Sequence, residues 1–335
     1  MGTKLTDLVE PKIVSYNDLK GKTFAVDAHN VLYQFLTTIR SYDGSYLTDK
    51  KGNVTSHLIG LFNRSVALME LGLKLCFVFD GKVPELKKEE TIRRKELKNV
   101  ALKKYELAAA EKNIEEMKKQ ATRTARLTAE MIEDAKELIL ALGMPIVEAP
   151  SEGEAQAAKM VKEKEVYAAI SQDYDTLLFG CPRMIKNLTI SKKRKIPGTY
   201  AMKEVFPEMI ELSQLLNSTG LDQDKLIALG IMTGTDYCRE GIKGIGPKKA
   251  LNVLKENSVK ESFLKAGWNQ KINWKDIFNL IKKMPTKSVK NIEWKSVNVE
   301  KVKNILVEKH DFDLERVEKT LQKLNVNQKG LSDFL

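Results

Sequence analysis

The sequence is poor in the residues that build disulfide frameworks, zinc sites and nucleophilic triads. Its three cysteines, Cys76, Cys181 and Cys238, lie far apart, and no two of them form a CxxC pair. This usage excludes a disulfide scaffold, argues against a zinc centre and predicts a reduced, intracellular setting. The three histidines are also scattered, so a Ser/His/Asp or Cys/His triad has little support.

Long hydrophobic runs are missing as well. No apolar stretch approaches the roughly 20 residues of a membrane-spanning helix, and none near Met1 resembles a signal peptide. The composition, 42% hydrophobic and 30% charged over 335 residues, is typical of a globular protein with one large domain or two moderate ones. We therefore expect no membrane partner.

Acidic residues are fewer than basic ones, 45 against 56, and the net charge is +11. Residues 82–130 contain fourteen basic and nine acidic side chains, and residues 186–203 contain six basic and none acidic. Neither stretch combines its charge with a strong apolar face, which favours nucleic acid over a membrane surface as the polyanionic partner.

Short apolar runs typical of buried parallel strands alternate with helical patterns. The strand-like runs are Thr23–Asp27, Leu75–Asp80, Pro145–Val147 and Tyr167–Ser171. Residues 57–70 and 125–142 have helical spacing, and Gly72 and Gly143 mark the ends of these helices. The alternation predicts an α/β fold, with a central, mostly parallel sheet and helices on both faces.

Two later segments depart from this alternation. From Pro84 to about Met117 the chain is highly charged and helix-prone, which is typical of a solvated helix pair or of a mobile basic cap over a site. After Leu221 the pattern is helical again, with glycine and proline at 241–247. We find no internal repeat and no linker that would mark a clean domain boundary.

Two acids close strand-like runs. Asp27 and Asp80 each end such a run and are each followed by a small residue. In an open α/β sheet the binding crevice lies beyond the carboxyl ends of the strands, so both acids are candidates for one crevice. The alternative for either is an ordinary cap on the next helix.

A second pair of acids opens a helix in the segment PSEGEA. Ser151 and Glu154 have capping-box spacing, so Glu154 is also a candidate for a bond back to a backbone N–H. Glu152 has no such alternative. Near the first turn of a helix, the carboxylates of Glu152 and Glu154 can converge on one ion.

Three further acids follow a strand and a helix. Asp173 and Asp175 are two residues apart, so an extended backbone would place both on one face. Asp236 follows an apolar helix, where the helix dipole disfavours an acid unless a cation is near. Seven neighbouring carboxylates would repel each other unless cations neutralised them. Mg²⁺ prefers oxygen ligands, and two such ions about 4 Å apart suit phosphodiester hydrolysis.

Seven blocks of this sequence together resemble the flap endonuclease family, and archaeal flap endonucleases in particular. The blocks are VDAHNVLYQFL, TSHLIGLFNR, VFDGKVPELK, APSEGEAQAA, SQDYDTLLFG, GTDYCREGIKGIGPKKA and QKGLSDFL. They occur in the family's order and span nearly the whole chain. The resemblance implies a PIN-like 5′-nuclease fold, in which residues 84–130 form a helical arch for a single-stranded 5′ flap.

The resemblance also implies the roles of site residues, position by position. It makes all seven carboxylates metal-site acids: Asp27, Asp80, Glu152, Glu154, Asp173, Asp175 and Asp236. It assigns catalysis to Lys87 and Arg94, which are two helical turns apart and would meet the scissile phosphate, together with Asp80 and Asp173.

DNA contacts are implied on the same basis. Tyr33 matches an aromatic residue that stacks near the reacting nucleotides, and its alternative is a half-buried core tyrosine. Arg40 and Arg64 are further candidates. His29 and Asn63 differ from the residues that the family pattern leads us to expect, and neither is assigned any chemistry.

Two segments toward the C-terminus match further family elements. Residues 241–250 resemble the helix–two-turn–helix element, whose carbonyls hold K⁺ in the family; the alternative is a simple glycine-rich turn. Its glycines would let phosphate approach the backbone and its lysines add charge: Gly244, Gly246, Lys248 and Lys249. The tail residues Gln328, Leu331, Phe334 and Leu335 match a sliding-clamp motif, although Leu335 stands where the motif has an aromatic residue.

The resemblance implies four regions of one nuclease core and its tail. Residues 1–105 form the N-terminal nuclease region with the start of the arch, and 106–260 the internal nuclease region with the helix–two-turn–helix. Residues 261–327 are the C-terminal helical part, and 328–335 the clamp-binding tail.

The implied function is a structure-specific 5′ flap endonuclease with 5′–3′ exonuclease activity, acting in Okazaki-fragment maturation and long-patch base excision repair. Its cofactors would be two Mg²⁺ ions and K⁺, and its partners branched DNA with a 5′ flap and the sliding clamp PCNA. We expect a monomer in the cytoplasm or nucleoid of an archaeon, or in a eukaryotic nucleus.

Three alternatives remain. One is a related nuclease that acts on bubbles, nicks or Holliday junctions. Another is a non-catalytic junction-binding clamp accessory, which the complete set of acids argues against. A phosphatase is disfavoured by the basic arch and by residues 241–250.

Overall fold

The computed structural model describes residues 5–189, 193–195 and 202–332, and it gives no side chains for 193–195, 202–203 and 325–332. The strands are β1 (Lys12–Ile13), β2 (Thr23–Asp27), β3 (Lys74–Phe79), β4 (Ile146–Glu148), β5 (Ala168–Ile170), β6 (Arg183–Lys186), β7 (Lys193–Lys195), β8 (Met202–Glu204) and β9 (Glu208–Glu211).

Within the described residues, seven strands form one sheet in the order β1-β9-β6-β5-β2-β3-β4. The five strands from β6 to β4 are parallel, whereas β9 pairs antiparallel with β6 and β1 pairs antiparallel with β9. The strands β7 and β8 form a separate antiparallel pair. The predicted mostly parallel sheet is confirmed, and the four predicted strands are β2 to β5.

The helices are α1 (Tyr16–Leu19), α2 (Ala28–Thr38), α3 (Ser56–Glu70), α4 (Lys88–Ala110), α5 (Ile114–Ala121), α6 (Ala129–Ala141), α7 (Gly153–Lys162), α8 (Asp175–Leu178), α9 (Leu212–Thr219), α10 (Gln223–Thr233), α11 (Pro247–Glu256), α12 (Val259–Ala266), α13 (Trp274–Lys282), α14 (Val299–Lys303) and α15 (Leu314–Ser332). Shorter helical turns are the 3₁₀ turns Glu85–Lys87 and Thr122–Thr124 and the π-helical turn Asn304–Lys309.

The two faces of the sheet are buried under different elements. Phe24 and Phe77 point into a core that includes side chains of α2, α3, α6 and α15. Ala25 and Cys76 point to the opposite face, which α7 and residues 289–294 cover. Because both faces are buried, these strands are apolar throughout rather than alternating. Helices on both faces are therefore confirmed.

A second hydrophobic core lies beside the sheet and is formed mostly by side chains of helices. It is formed by α8 to α13, with Leu177, Ile227, Leu254 and Phe263 among its buried side chains. The segment between α10 and α11 contains the glycine-rich turns, so residues 241–250 connect two helices as predicted. No described helix is both long enough and apolar enough to cross a membrane.

The charged segment forms a helical hairpin. Of the 23 residues of α4, only Glu90, Ala101 and Ala108 are buried, and α5 packs beside it after a turn at Lys112, whose φ is +55°. The predicted helix pair is thus present. Lys/Glu/Ala/Leu composition favours helix here, although little apolar surface is buried.

Three sequence-based boundaries differ from the structure. The helix predicted over 125–142 begins only at Ala129, because Thr128 caps it by accepting a bond from the Met131 N–H. The region boundaries at 105/106 and 260/261 fall inside α4 and α12. The division into four regions stays a prediction.

Candidate active site

The carboxylate of Asp27 lies at the end of β2, where that strand passes directly into α2. Its Oδ1 accepts a bond of 3.0 Å from the Asn30 N–H, so Asp27 does cap the helix. The side chain is nonetheless buried at 6% exposure and lies among other acids. The cap is therefore present, and Asp27 also lies close to other acids, but its role in a metal site stays a prediction.

Asp80 follows β3 and is held against the start of α7. Its Oδ1 accepts a bond of 2.6 Å from the Gly153 N–H. A Cβ at position 153 would lie 2.8 Å from that same oxygen, so the close approach requires glycine. Gly81 is more strictly restricted, because a Cβ there would lie 2.1 Å from the backbone carbonyl oxygen of Ala149. Gly81 thus allows the segments after β3 and β4 to lie close together, and Gly153 allows Asp80 to contact the start of α7.

The capping-box interpretation of Ser151 and Glu154 is wrong. The helix is capped by the residue after Ser151, and the Ser151 hydroxyl donates to the Lys82 carbonyl at 2.9 Å. Glu154 Oε1 instead accepts bonds from Ser171 Oγ at 3.1 Å and Thr176 Oγ1 at 3.3 Å. The helix start thus directs Glu154 toward the end of β5.

Glu152 is buried and bound by a lysine from the charged hairpin. The Nζ of Lys87 lies 2.6 Å from Glu152 Oε2 and 3.5 Å from Asp236 Oδ2. Arg94 also binds Asp236, through its Nη2, and it binds Glu90 at 2.8 Å. Lys87 and Arg94 therefore face the same carboxylate, as their two-turn spacing predicts.

Asp173 and Asp175 do not lie on an extended backbone, contrary to expectation. Tyr174 between them has φ −75° and ψ −6°, because the chain turns directly into α8. Asp173 Oδ2 accepts a bond of 3.1 Å from Asn30 Nδ2, at the start of α2. Asp175 lines a small cavity with four other charged side chains: Lys87, Glu152, Glu154 and Asp236.

Electrostatic effects connect these acids into one cluster. Burial and, after it, repulsion from Asp80 raise the pKa of Asp27 to about 8. Burial and then repulsion from Asp175 and Asp27 raise the pKa of Glu154 well above its usual range. Burial also raises the pKa of Glu152, although Lys87 opposes it. The protein itself does not fully compensate the negative charge.

The basic side chains remain charged. Burial alone would lower the pKa of Lys87, but the carboxylates of Glu152 and Asp236 outweigh it and leave that pKa raised. The same balance raises the pKa of Arg94, with burial opposed chiefly by Asp236. Two cations thus lie against seven carboxylates.

The donor set fits a hard divalent cation. Every candidate ligand is a carboxylate oxygen, and the cluster retains uncompensated negative charge, which suits Mg²⁺ rather than a metal that prefers sulfur or imidazole. In the described part of the chain, no three acidic, histidine or cysteine side chains converge closely enough to hold a metal as they stand. Several carboxylates instead bind Lys87, Arg94 or backbone N–H groups.

Three of the predicted DNA contacts, Tyr33, Arg40 and Arg64, have different surroundings. Tyr33 is half-buried, and the Nζ of Lys98 from α4 lies 4.9 Å from the centre of its ring. The Arg40 guanidinium stacks 3.9 Å from the Tyr46 ring and donates to the carbonyls of Leu36 and Gly44. It therefore also stabilises the loop after α2.

Arg64 has a comparable structural role. It donates through Nε at 3.0 Å, and through Nη2 at 2.5 Å, to the Leu188 carbonyl, and Nη2 also contacts the Tyr16 hydroxyl. For Arg40 and Arg64, contact with DNA stays a prediction.

The glycine-rich turns expose backbone and lysine side chains. Gly244 has φ +79°, Gly246 does not have a positive φ, and nothing lies within 4 Å of a Cβ built at either position. Lys248 and Lys249 are exposed, and Lys249 Nζ donates to the Gly244 carbonyl at 3.2 Å. The glycine that the fold itself requires is Gly241, where a Cβ would lie 2.3 Å from the Met232 carbonyl oxygen.

The candidate clamp-binding residues lie beyond what the structure describes. The side chains of Gln328 and Leu331, and all of Phe334 and Leu335, fall outside the described residues.

One residue with no assigned chemistry lies in the site. The ring of His29 packs edge-on against Phe79 at 5.7 Å, and its Nδ1 lies 3.2 Å from the Asp80 N–H nitrogen. The only signal in the sequence was that position 29 departs from the family pattern.

Known proteins resemble this chain over nearly its whole length. The XPG N-terminal domain family model matches residues 1–101, and the XPG I-region model matches residues 143–236. The chain is 45% identical to flap endonuclease 1 of Hyperthermus butylicus and 45% identical to that of Pyrococcus abyssi. Each alignment covers 97% of this chain and 94% of the relative.

Solved structures give the same result. Flap endonuclease-1 from Methanococcus jannaschii superposes with a TM-score of 0.76 at 38% identity, covering 96% of this chain and 98% of that one. The catalytic core of Rad2 in complex with DNA substrate matches with a TM-score of 0.70 at 22% identity, over 96% and 100% of the two chains. The second likeness concerns the fold alone.

Proposed function

The chain belongs to the flap endonuclease family, and we propose that it cuts DNA at the base of a 5′ flap and also degrades DNA as a 5′–3′ exonuclease. The observation that carries the proposal is the contact of Lys87 and Arg94 with the carboxylate cluster. These residues belong to the charged hairpin, so the element that would receive the flap also reaches the acids that would perform hydrolysis.

We propose two Mg²⁺ ions as cofactors. The seven carboxylates would hold them: Asp27, Asp80, Glu152, Glu154, Asp173, Asp175 and Asp236. Bound there, the ions would lower the pKa of a water molecule and stabilise negative charge on the phosphodiester. The raised pKa values of Asp27 and Glu154 support this assignment, because they reflect burial and repulsion among acids that bound cations would offset.

The two basic residues would act on the phosphate itself. Lys87 and Arg94 remain charged and lie at the edge of the cluster. Fixed donors aimed at a phosphate stabilise the charge that develops during hydrolysis more than they stabilise the ground state. Lys87 and Arg94 would also orient the carboxylates of Glu152 and Asp236, which they contact directly.

DNA would be bound by several surfaces around the site. Tyr33, with Lys98 beside its ring, would stack on a base near the cut, and Arg40 and Arg64 would add contacts from α2 and α3. The glycine turns would approach the phosphate backbone of the duplex, with Lys248 and Lys249 supplying charge. We also propose K⁺ at these turns, on the family resemblance of residues 241–250 alone.

The family relation also suggests the cellular role. We propose Okazaki-fragment maturation and long-patch base excision repair, with PCNA bound through the tail 328–335 and the enzyme acting as a monomer. The proposed substrate places the protein in the compartment that holds the chromosome. A bubble, nick or Holliday-junction nuclease is less favoured, because the relatives at 45% identity are flap endonucleases.

Cleavage of labelled 5′-flap, nicked and bubble DNA, with Mg²⁺ and with EDTA, tests the proposal. We expect Mg²⁺-dependent cutting of the flap near its base and weaker cutting of the other substrates. Asp80→Ala and Asp173→Ala should abolish cutting while flap binding persists. Preference for bubbles, or full activity in either variant, would overturn the assignment.

A further inference from the structure

The main chain of Asp80 has an unusual partner. The ladder between β2 and β3 ends with the pairing of Asp27 and Val78, so Asp80 lies just past the regular sheet. Its N–H donates to Nδ1 of His29 at 3.2 Å. A side chain from the first turn of α2 thus accepts the bond that a neighbouring strand would otherwise receive.

This bond defines the state of the ring nitrogen. A backbone N–H can only donate, so Nδ1 must present its lone pair, and in the neutral ring the proton lies on Nε2. Nδ1 also lies 3.3 Å from Asp80 Oδ2. With its lone pair facing this way, Nδ1 offers the oxygen no proton and leaves it available to a cation.

His29 therefore differs from the other partners of the acids. Lys87 and Arg94 place positive charge against the carboxylates that they touch, whereas Nδ1 of His29 binds the main-chain N–H of Asp80. Asp80 also accepts a bond from the Gly153 N–H through Oδ1. The first bond holds the main chain of Asp80 and the second holds its side chain, which remains 40% exposed.

We propose that His29 is a positioning residue for Asp80 in the metal site, acting through Nδ1 on the main chain at the end of β3. The inference rests on the proposed function, since it assigns Asp80 to the metals. Groups that orient metal ligands typically contribute about 10–100-fold to metal affinity or activity.

Two isosteric variants separate this role from other roles. In His29→Asn the amide oxygen takes the place of Nδ1 and can accept the Asp80 N–H, but the donor at Nε2 is lost. In His29→Gln the amide nitrogen takes the place of Nε2, and the acceptor near Asp80 is lost. His29→Ala removes both groups and the contact with Phe79.

The experiment measures Mn²⁺ binding by calorimetry without DNA, the Mg²⁺ concentration for half-maximal flap cutting, and flap binding in EDTA. Wild-type protein is run in the same series, and thermal melting confirms that each variant is folded. We expect His29→Ala and His29→Gln to bind Mn²⁺ about 10-fold more weakly and to need correspondingly more Mg²⁺. His29→Asn should stay close to wild type, and flap binding in EDTA should not change.

Two results would overturn the inference. One is wild-type Mn²⁺ affinity in His29→Ala. The other is recovery by glutamine but not by asparagine, which would indicate a donor role through Nε2. In either case wild-type protein that still cuts flaps leaves the proposed function intact. Failure of the wild-type protein to bind Mn²⁺ or cut flaps would instead contradict the function itself.

Discussion

The Nζ of Lys87 lies 2.6 Å from the carboxylate of Glu152, and this contact joins the base of the charged hairpin to the start of α7. Glu152 is buried, and the neighbouring carboxylate of Asp236 is also within 4 Å of the same ammonium. The position of the hairpin and the charge of the acid cluster are therefore coupled. A flap that moves the hairpin would also change the electrostatics of the site.

Substitution of Lys87 tests this coupling. We expect Lys87→Ala to lower the single-turnover rate of flap cutting about 10²–10³-fold, the usual loss when one fixed donor to a developing charge is removed. Lys88→Ala is the matched control, because Lys88 pairs only with the exposed Glu85 among the described residues. Rates that fall equally in both variants would indicate a general effect of hairpin charge and contradict a specific role for Lys87.

Gly153→Ala should separate catalysis from stability. Its Cβ would lie 2.8 Å from Asp80 Oδ1 and would displace that carboxylate, whereas alanine suits the first turn of a helix. We expect strongly reduced cutting with a melting temperature near that of wild type. Gly81→Ala should instead lower the melting temperature, because its Cβ would meet the backbone of Ala149. Equal losses of melting temperature in Gly153→Ala and Gly81→Ala would contradict this distinction.

Much of this arrangement could be predicted from local sequence. Strand ends, helix starts and the spacing of Lys87 and Arg94 are properties of short segments. The hydrophobic periodicity of the sequence predicts such local features well. The strands β1, β6 and β9 were not predicted, because each spans four residues or fewer and lacks a continuous apolar run. Asp173 and Asp175 were expected on an extended backbone, since spacing alone does not tell where a helix begins.

Hydrogen-bond partners that lie far apart in the sequence could not be predicted from local patterns. Glu154 has the spacing of a capping box, but its carboxylate receives bonds from Ser171 and Thr176, which only the folded chain brings near. The role of Gly153 likewise depends on Asp80, 73 residues away. Strand and helix ends and the family resemblance predicted which acids belong to the site, whereas the contacts that orient them follow from tertiary structure.

Lysines of the glycine turns should affect binding rather than chemistry. Each phosphate contact that is lost should reduce the slope of log affinity against log salt by about 0.9 for duplex DNA. We expect Lys248→Ala and Lys249→Ala each to weaken flap binding at low salt and leave the single-turnover rate at saturation unchanged. Lys255→Ala, at the other end of α11, is the control. An unchanged salt slope in the first two variants would contradict duplex contact at these turns.

The acid cluster predicts that stability without metal falls as pH rises. The pKa of Asp27 is raised from an ordinary 3.8 to about 8, so the folded chain binds a proton that the unfolded chain has released. The stability that protonated Asp27 contributes is fully present below about pH 4 and is lost progressively as pH approaches 8, with a limiting slope of about 1.4 kcal/mol per pH unit.

Melting in EDTA at several pH values, for wild type and Asp27→Asn, measures this loss of stability. The variant should be the more stable protein near pH 8 in EDTA, and this advantage should shrink or reverse in Mg²⁺, because wild type gains a ligand that binds only its folded state. Parallel pH curves for the two proteins would mean that Asp27 is ionised in the fold without metal.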